Sequence, residues 1–245
     1  MDIQSATWTE VRDAETNLAM VPIGSTEQHG PHAALGTDTL NAETVAETAA
    51  DRLDDPVAVS PAVSVGVAEE HRQFSGTLWT SESTFRSYVR DIVESLAFHG
   101  FDRVVLVNGH GGNVAALREV AGTITRHDDA YAVPFTWFEA VGEDAPPMGH
   151  GGALETSLLQ HANPDAVRED RLDDAAAEGT RRWGNWKGKV NLAFDSAEFT
   201  ENGVVGDPRE ASADLGEDLL DAASEALVDL LETVAEHDTE RPPRK

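Results

Sequence analysis

The stretch "RVVLVNGHGGN", residues 103–113, decides the fold. Val104, Val105, Leu106 and Val107 are consecutive apolar residues with no polar alternation, the pattern of a strand covered on both faces. Asn108 and Gly109 end the run, and residues 113–126 then read as a helix. The same order recurs along the chain. "LAMVPIG" (18–24), "VAVSPAVSVG" (57–66) and "AYAVPFTW" (130–137) read as further buried strands. Helical stretches occupy 39–53, 82–99, 153–161 and 211–236; the second carries Phe85, Val89, Ile92, Val93 and Leu96, with Gly100 as its stop signal. Strands alternating with helices predict an α/β fold, a three-layer α/β/α sandwich around a mostly parallel central sheet. The expected organisation is a single domain over 1–245 without internal repeats, with residues from about 238 to 245 as a frayed tail.

Composition narrows the function. The 245 residues include 45 Asp+Glu against 18 Lys+Arg, a formal net charge of -27, while 40% of residues are apolar. The acidic excess is spread, as in "DRLDDP" and "REDRLDDAAAEG", rather than gathered in a tail. That reads as a halophilic chain of haloarchaeal type, whose self-repulsion is screened by a salty cytoplasm; a surface for cations or basic proteins is the rival reading. No basic stripe exists to neutralise phosphates, so nucleic acid is not an expected partner. The absence of cysteine excludes disulfides, thiolate metal sites and a cysteine nucleophile. The N-terminus lacks a signal-peptide pattern, and no apolar run approaches the roughly 20 residues that span a bilayer. A cytoplasmic protein without membrane contact is expected.

In a sheet of this kind, ligands bind beyond the carboxyl ends of the strands, and polar motifs follow each predicted strand end. "GSTEQHGPHAALGTD" (24–38) places Glu27 and His29 two apart, a spacing that turns both side chains to one side of an extended segment. Asp38 stands at the head of a helix and is read either as an N-cap or as a ligand. His32 is read as a locally bonded loop residue. In "NGHGGN", His110 lies among glycines that allow close approach; a cradle for an anion is the alternative. In "GHGGALETS" (149–157), Glu155 either complements a helix dipole or binds metal. Glu27, His29, Asp38, His110 and Glu155, with His71 and His150 to spare, make a credible set for two divalent ions (Zn, Mn or Fe), with Asp38 bridging. Such a pair lowers the pKa of a bridging water toward about 7, and His150, then His71, are the candidate acids for a leaving nitrogen. The backbone of 109–112 could hold an oxyanion. A serine hydrolase would need a G-x-S-x-G elbow, which is absent.

Together "PIGSTEQHGPHAALGTD", "EEHRQFSGT", "VLVNGHGGN", "GHGGALETS" and "GVVGDPREAS" resemble the creatininase (creatinine amidohydrolase) family, in order from about residue 20 to 216. The resemblance implies an α/β/α sandwich, a homo-oligomer (hexamer or dimer), two divalent metals, and hydrolysis of a non-peptide C–N amide bond in a small molecule. It places Glu27, His29, Asp38 and His110 on metal ligands, Asp38 bridging, and His150 near the substrate. The type enzyme follows its "NGH" with a tyrosine and a ligand glutamate; Gly111 and Gly112 stand there instead, and Glu155 is the expected replacement. Ala68 stands where the family often has a serine. These departures weaken creatinine as substrate. "NGHGGN" better resembles an archaeal deformylase branch acting on a formylaminopyrimidine ribotide in riboflavin and deazaflavin biosynthesis. Gly111, Gly112 and Asn113 would then border the substrate, with Arg181, Arg182 and Lys187 of "TRRWGNWKGK" meeting its phosphate. Creatinine hydrolysis and a non-catalytic acidic metal-binding scaffold are the alternatives.

Overall fold

The computed structural model describes residues 1–240. In chain order the elements are α1 (Trp8–Arg12), β1 (Leu18–Ile23), α2 (Thr37–Arg52), β2 (Ala58–Val59), α3 (Glu82–Phe98), β3 (Arg103–Asn108), α4 (Val114–His127), β4 (Tyr131–Thr136), α5 (Ala153–Ala162), α6 (Leu172–Glu178), β5 (Trp186–Lys187), β6 (Val190–Asn191) and α7 (Ala213–Glu236). The tail expected over 238–245 lies partly in exposed coil at 238–240, and its last five positions fall outside the described residues.

Four strands pair in parallel in the order β2-β1-β3-β4. All six residues of β1 are buried, which is why its sequence is apolar without alternation. One face packs Leu18, Met20, Val105 and Val107 against Val45 and Ala49 of α2, Leu154 and Leu158 of α5, and Leu219, Leu227 and Leu231 of α7. The other packs Ala19, Val21, Val104 and Leu106 against Phe85, Val89 and Val93 of α3 and Leu117, Val120 and Ile124 of α4. These two apolar layers are the three-layer sandwich. Each fully buried Leu, Val or Phe contributes about 1.5–3 kcal/mol relative to exposure, so the sheet is held from both sides.

The strand expected over 57–66 contracts to two residues. Pro61 has no N–H to give to a ladder, and the chain on either side of it pairs irregularly: Ser60 N donates to Met20 O at 2.9 Å and Val63 N to Pro22 O at 2.9 Å. The helices keep their expected places because their caps are in the sequence. Ser81 accepts from Thr84 N ahead of α3, and Ser212 accepts from Leu215 N ahead of α7. Among the described residues, no helix is long and apolar enough to cross a membrane.

The strand order fixes where a site can form. From β1 the chain crosses outward to β2, then returns past β1 to reach β3 and β4. The direction of winding therefore reverses between β1 and β3, and the crevice beyond their carboxyl ends is where such sheets bind ligands. Glu27 and His29 follow β1; His110 follows β3.

Candidate metal centre and cavity

The β1–α2 loop carries Glu27 and His29 inward, and both are fully buried. Asp38 lies in the first turn of α2, one residue beyond Thr37, with Gly36 as the cap; it is 1% exposed, so the N-cap reading does not hold. Gly109 lets the turn after β3 close onto α2: a Cβ there would stand 2.1 Å from Asp38 O. That approach sets His110 Nδ1 3.2 Å from Asp38 Oδ2 and 3.2 Å from Glu27 Oε1. On the other side His29 Nε2 lies 3.0 Å from Asp38 Oδ1 and 3.9 Å from Glu155 Oε2. Glu155, in the first turn of α5, also accepts from Gly151 N at 2.7 Å. His71 Nε2 and His150 Nδ1 reach Glu27 Oε1 at 3.6 and 3.7 Å. All five residues expected to bind metal, and both expected catalytic histidines, converge.

Hydrogen bonds fix how the imidazoles face the centre. His110 Nε2 is 2.7 Å from Val67 O, and His29 Nδ1 is 3.2 Å from Glu27 O. A backbone carbonyl only accepts, so in each ring that nitrogen carries the hydrogen. The opposite nitrogen then points its lone pair at carboxylate oxygens, which is repulsive unless a proton or a metal cation lies between. His150 is held in the same way through its Nε2 and Gln28 O. His71 is the exception. The Gln28 amide is oriented by Gly30 N, which donates to its Oε1, and by Gly203 O, which accepts from its Nε2. That Nε2 also donates to His71 Nδ1 at 2.9 Å, leaving the His71 hydrogen on Nε2, toward Glu27.

The electrostatics of the metal-free chain express the same strain. Burial pushes the Glu27 carboxyl up, and burial with the charge of Asp38 raises Glu155 to about 7 against the pull of His29. Burial opposes charge on His29, yet Asp38, Glu155 and Glu27 together raise it to about 10. Burial likewise opposes charge on His110, but Glu27 and Asp38 lift it well above the usual range. Asp38 is held well below the ordinary carboxylate range because His29 and His110 outweigh its burial. His71 falls to about 3, from burial and then the charges of His110 and His29, and His150 is also depressed, by burial first.

The donor set fits divalent ions. Both oxygens of Glu27, His29 Nε2 and Asp38 Oδ2 are buried without a hydrogen-bond partner, an arrangement that costs free energy unless a cation satisfies it. Glu27, Asp38 and His110 offer atoms within 4.8 Å of one another, as do His29, His150 and Glu155, and Glu27, His71 and His150. Carboxylates and imidazoles together suit zinc or manganese. Glu155, the expected replacement for the glutamate missing at Gly112, stands on the His29 side of the centre, 3.9 Å from His29 Nε2.

Beside the centre lies a cavity of about 370 Å³ lined by Glu70, His71, His110, His150, Glu155 and Trp183, together with Gly111, Gly112 and Met148. Gly111 and Gly112 thus border the space as expected. Asn113 does not: its Oδ1 accepts from Val67 N at 2.9 Å and its Nδ2 donates to Gly24 O at 3.0 Å, so its amide is a strut between three loops. Arg181, Arg182 and Lys187 are exposed and line no part of this cavity; Arg181 instead faces Asp207 at 3.8 Å. The segment's contribution is Trp183, whose ring lies edge-on to His71 and His150 at 6.2 and 6.1 Å and contacts Phe199. Sequence reasoning missed Trp183, Met148, Gln28 and Glu70. Only the last two had a signal, being neighbours of site residues in "EQH" and "EEH".

The family model described as "Creatininase: Creatinine amidohydrolase" matches residues 4–231. A mycofactocin precursor peptide peptidase of Mycobacterium tuberculosis (strain CDC 1551 / Oshkosh) is 35% identical over 227 residues, covering 86% of this chain and 83% of that protein. A creatinine amidohydrolase of Pseudomonas putida is 27% identical over 237 residues, covering 87% and 88%. A solved creatininase variant of Zn-Zn type superposes with a TM-score of 0.79 at 25% identity, over 96% of this chain and 98% of that one.

Proposed function

The chain belongs to the creatininase family of amidohydrolases, and from that premise we propose that it is a divalent-metal-dependent hydrolase cutting a C–N bond in a peptide-like amide. The observation that carries the reading is the buried centre, in which His29, His110 and His150 each turn the ring nitrogen not bonded to a backbone carbonyl toward Asp38 or Glu27. Both Glu27 oxygens lack any other partner, so that a proton or a cation must lie between. Glu27, Asp38 and His110 would hold one ion; His29 and Glu155, with Asp38 shared, the other. When bound, such a pair supplies a Lewis acid for the amide carbonyl and a water ionised near neutral pH.

The protein's own groups do the rest. His150 Nδ1 is an acceptor at the cavity wall and takes a proton there, then returns it to the leaving nitrogen. His71 presents a fixed Nε2–H and stays neutral, so it donates a hydrogen bond rather than a charge. Trp183 and Met148 supply the large apolar side chains of the cavity lining.

The expectation of a non-peptide amide widens here to a peptide amide because the mycobacterial relative, at 35% identity, is named as a peptidase. The cavity volume falls in the range of sites that take drug-sized ligands. Ribotide deformylation rested on the resemblance of "NGHGGN" and on phosphate contact by Arg181, Arg182 and Lys187; the relatives are instead named as a peptidase and a creatinine amidohydrolase, and none of the three basic residues lines the cavity. The test is an assay of zinc- or manganese-loaded protein with short peptides and with creatinine, following release of new amines and of creatine. Peptide cleavage at least tenfold above creatinine hydrolysis in kcat/KM is expected. Creatinine hydrolysis alone would overturn the substrate and leave the amidohydrolase chemistry standing.

A further inference from the structure

We infer that Glu70 selects substrates carrying a cationic group beside the scissile amide, an assignment that rests on the amidohydrolase reading. Glu70 lines the same cavity as His110, His150 and Glu155. It belongs to none of the groups whose ligand atoms converge within 4.8 Å, and among the described residues no side chain forms an ion pair with it. Position 112 shows what it occupies. A Cβ on Gly112 would meet Val67 O at 2.2 Å, His110 Nε2 at 2.5 Å and Glu70 Oε1 at 3.1 Å. The loop carrying Val67, Glu70 and His71 thus leans over the Gly-rich turn, and the Glu70 carboxylate stands over residue 112, where this chain has no side chain.

A carboxylate only accepts hydrogen bonds. At the edge of a partly enclosed cavity, with the charge of His110 pulling on it but in no ion pair with it, it discriminates between a charged donor and a neutral one. Trp183 and Met148 on the same wall offer an indole and a thioether to the apolar body of such a ligand, and an indole face also favours a cation. The ligand class is therefore an amide whose neighbouring group is an ammonium, amidinium or guanidinium ion. The other carboxylate on the cavity wall does not supply that preference, because Glu155 faces His29 and Gly151.

Benzamidine and benzamide are nearly isosteric probes that differ by this charge. Calorimetric titration of metal-loaded protein should show benzamidine binding at least tenfold more tightly than benzamide. Glu70→Gln should abolish that preference while leaving metal content and benzamide affinity unchanged. Equal affinities in the unaltered protein overturn the proposal, and absence of binding by both probes counts as equal. A preference that survives Glu70→Gln overturns it too. Loss of metal from the variant would make Glu70 a ligand instead. Failure of the amidohydrolase reading would look different: no metal or no C–N cleavage in the unaltered protein, with the Glu70-dependent preference intact.

Discussion

Asp38→Ala should lower kcat/KM by about a thousandfold and remove both ions, as measured by peptide kinetics and elemental analysis on the same preparation. Asp38 is the carboxylate that touches both halves of the centre, 3.0 Å from His29 Nε2 and 3.2 Å from His110 Nδ1. Without it, Glu27 and His110 retain too few donors for one ion, and His29 and Glu155 too few for the other. The size follows from losing both the polarised carbonyl and the ionised water, since removing even one donor to the developing charge costs about 10²–10³ in rate. Activity within tenfold of the unaltered protein would show that Asp38 is not shared.

Stripping the metal should lower the unfolding temperature by about 15 °C or more, read by scanning calorimetry with and without chelator. Each ion present at a thousand times its Kd stabilises by about 4 kcal/mol. For a chain of this size 1 kcal/mol moves Tm by about 2–4 °C, so two ions give a shift of that order. The cause is local. Glu27, Asp38 and Glu155 are buried within one small volume, and in the metal-free chain they are compensated only by protons on His29 and His110. Equal unfolding temperatures with and without chelator would mean that those protons suffice and that the centre does not need metal.

The parts of the fold set by local chemistry were legible in the sequence. β1 and β3 announce themselves by unbroken apolar runs, and α3 by the helical spacing of Phe85, Val89 and Val93 with Gly100 as its stop. β2 was overdrawn because pairing past Pro61 depends on which carbonyls of β1 lie opposite. The β5–β6 hairpin and α6 went unread, since two-residue strands and a seven-residue helix carry too little periodicity. The candidate ligands were legible because carboxylates and imidazoles at strand ends have few structural reasons to be there. The cavity wall was not. Arg181, Arg182 and Lys187 drew attention by their charge, yet Trp183 between them turns to the cavity. Asn113 looked like a substrate contact, but its neighbours in space, Gly24 and Val67, are remote in sequence. Glu70 stands over Gly112, a relation visible only once the two loops are seen to touch.

The most direct measurement is anomalous X-ray scattering from crystals of zinc- or manganese-loaded protein, collected on both sides of the metal absorption edge. Two peaks are predicted, one flanked by Glu27, Asp38 and His110, the other by His29 and Glu155, with Asp38 between them. A map without anomalous density among these five residues, from protein that still cleaves its amide, would contradict the account.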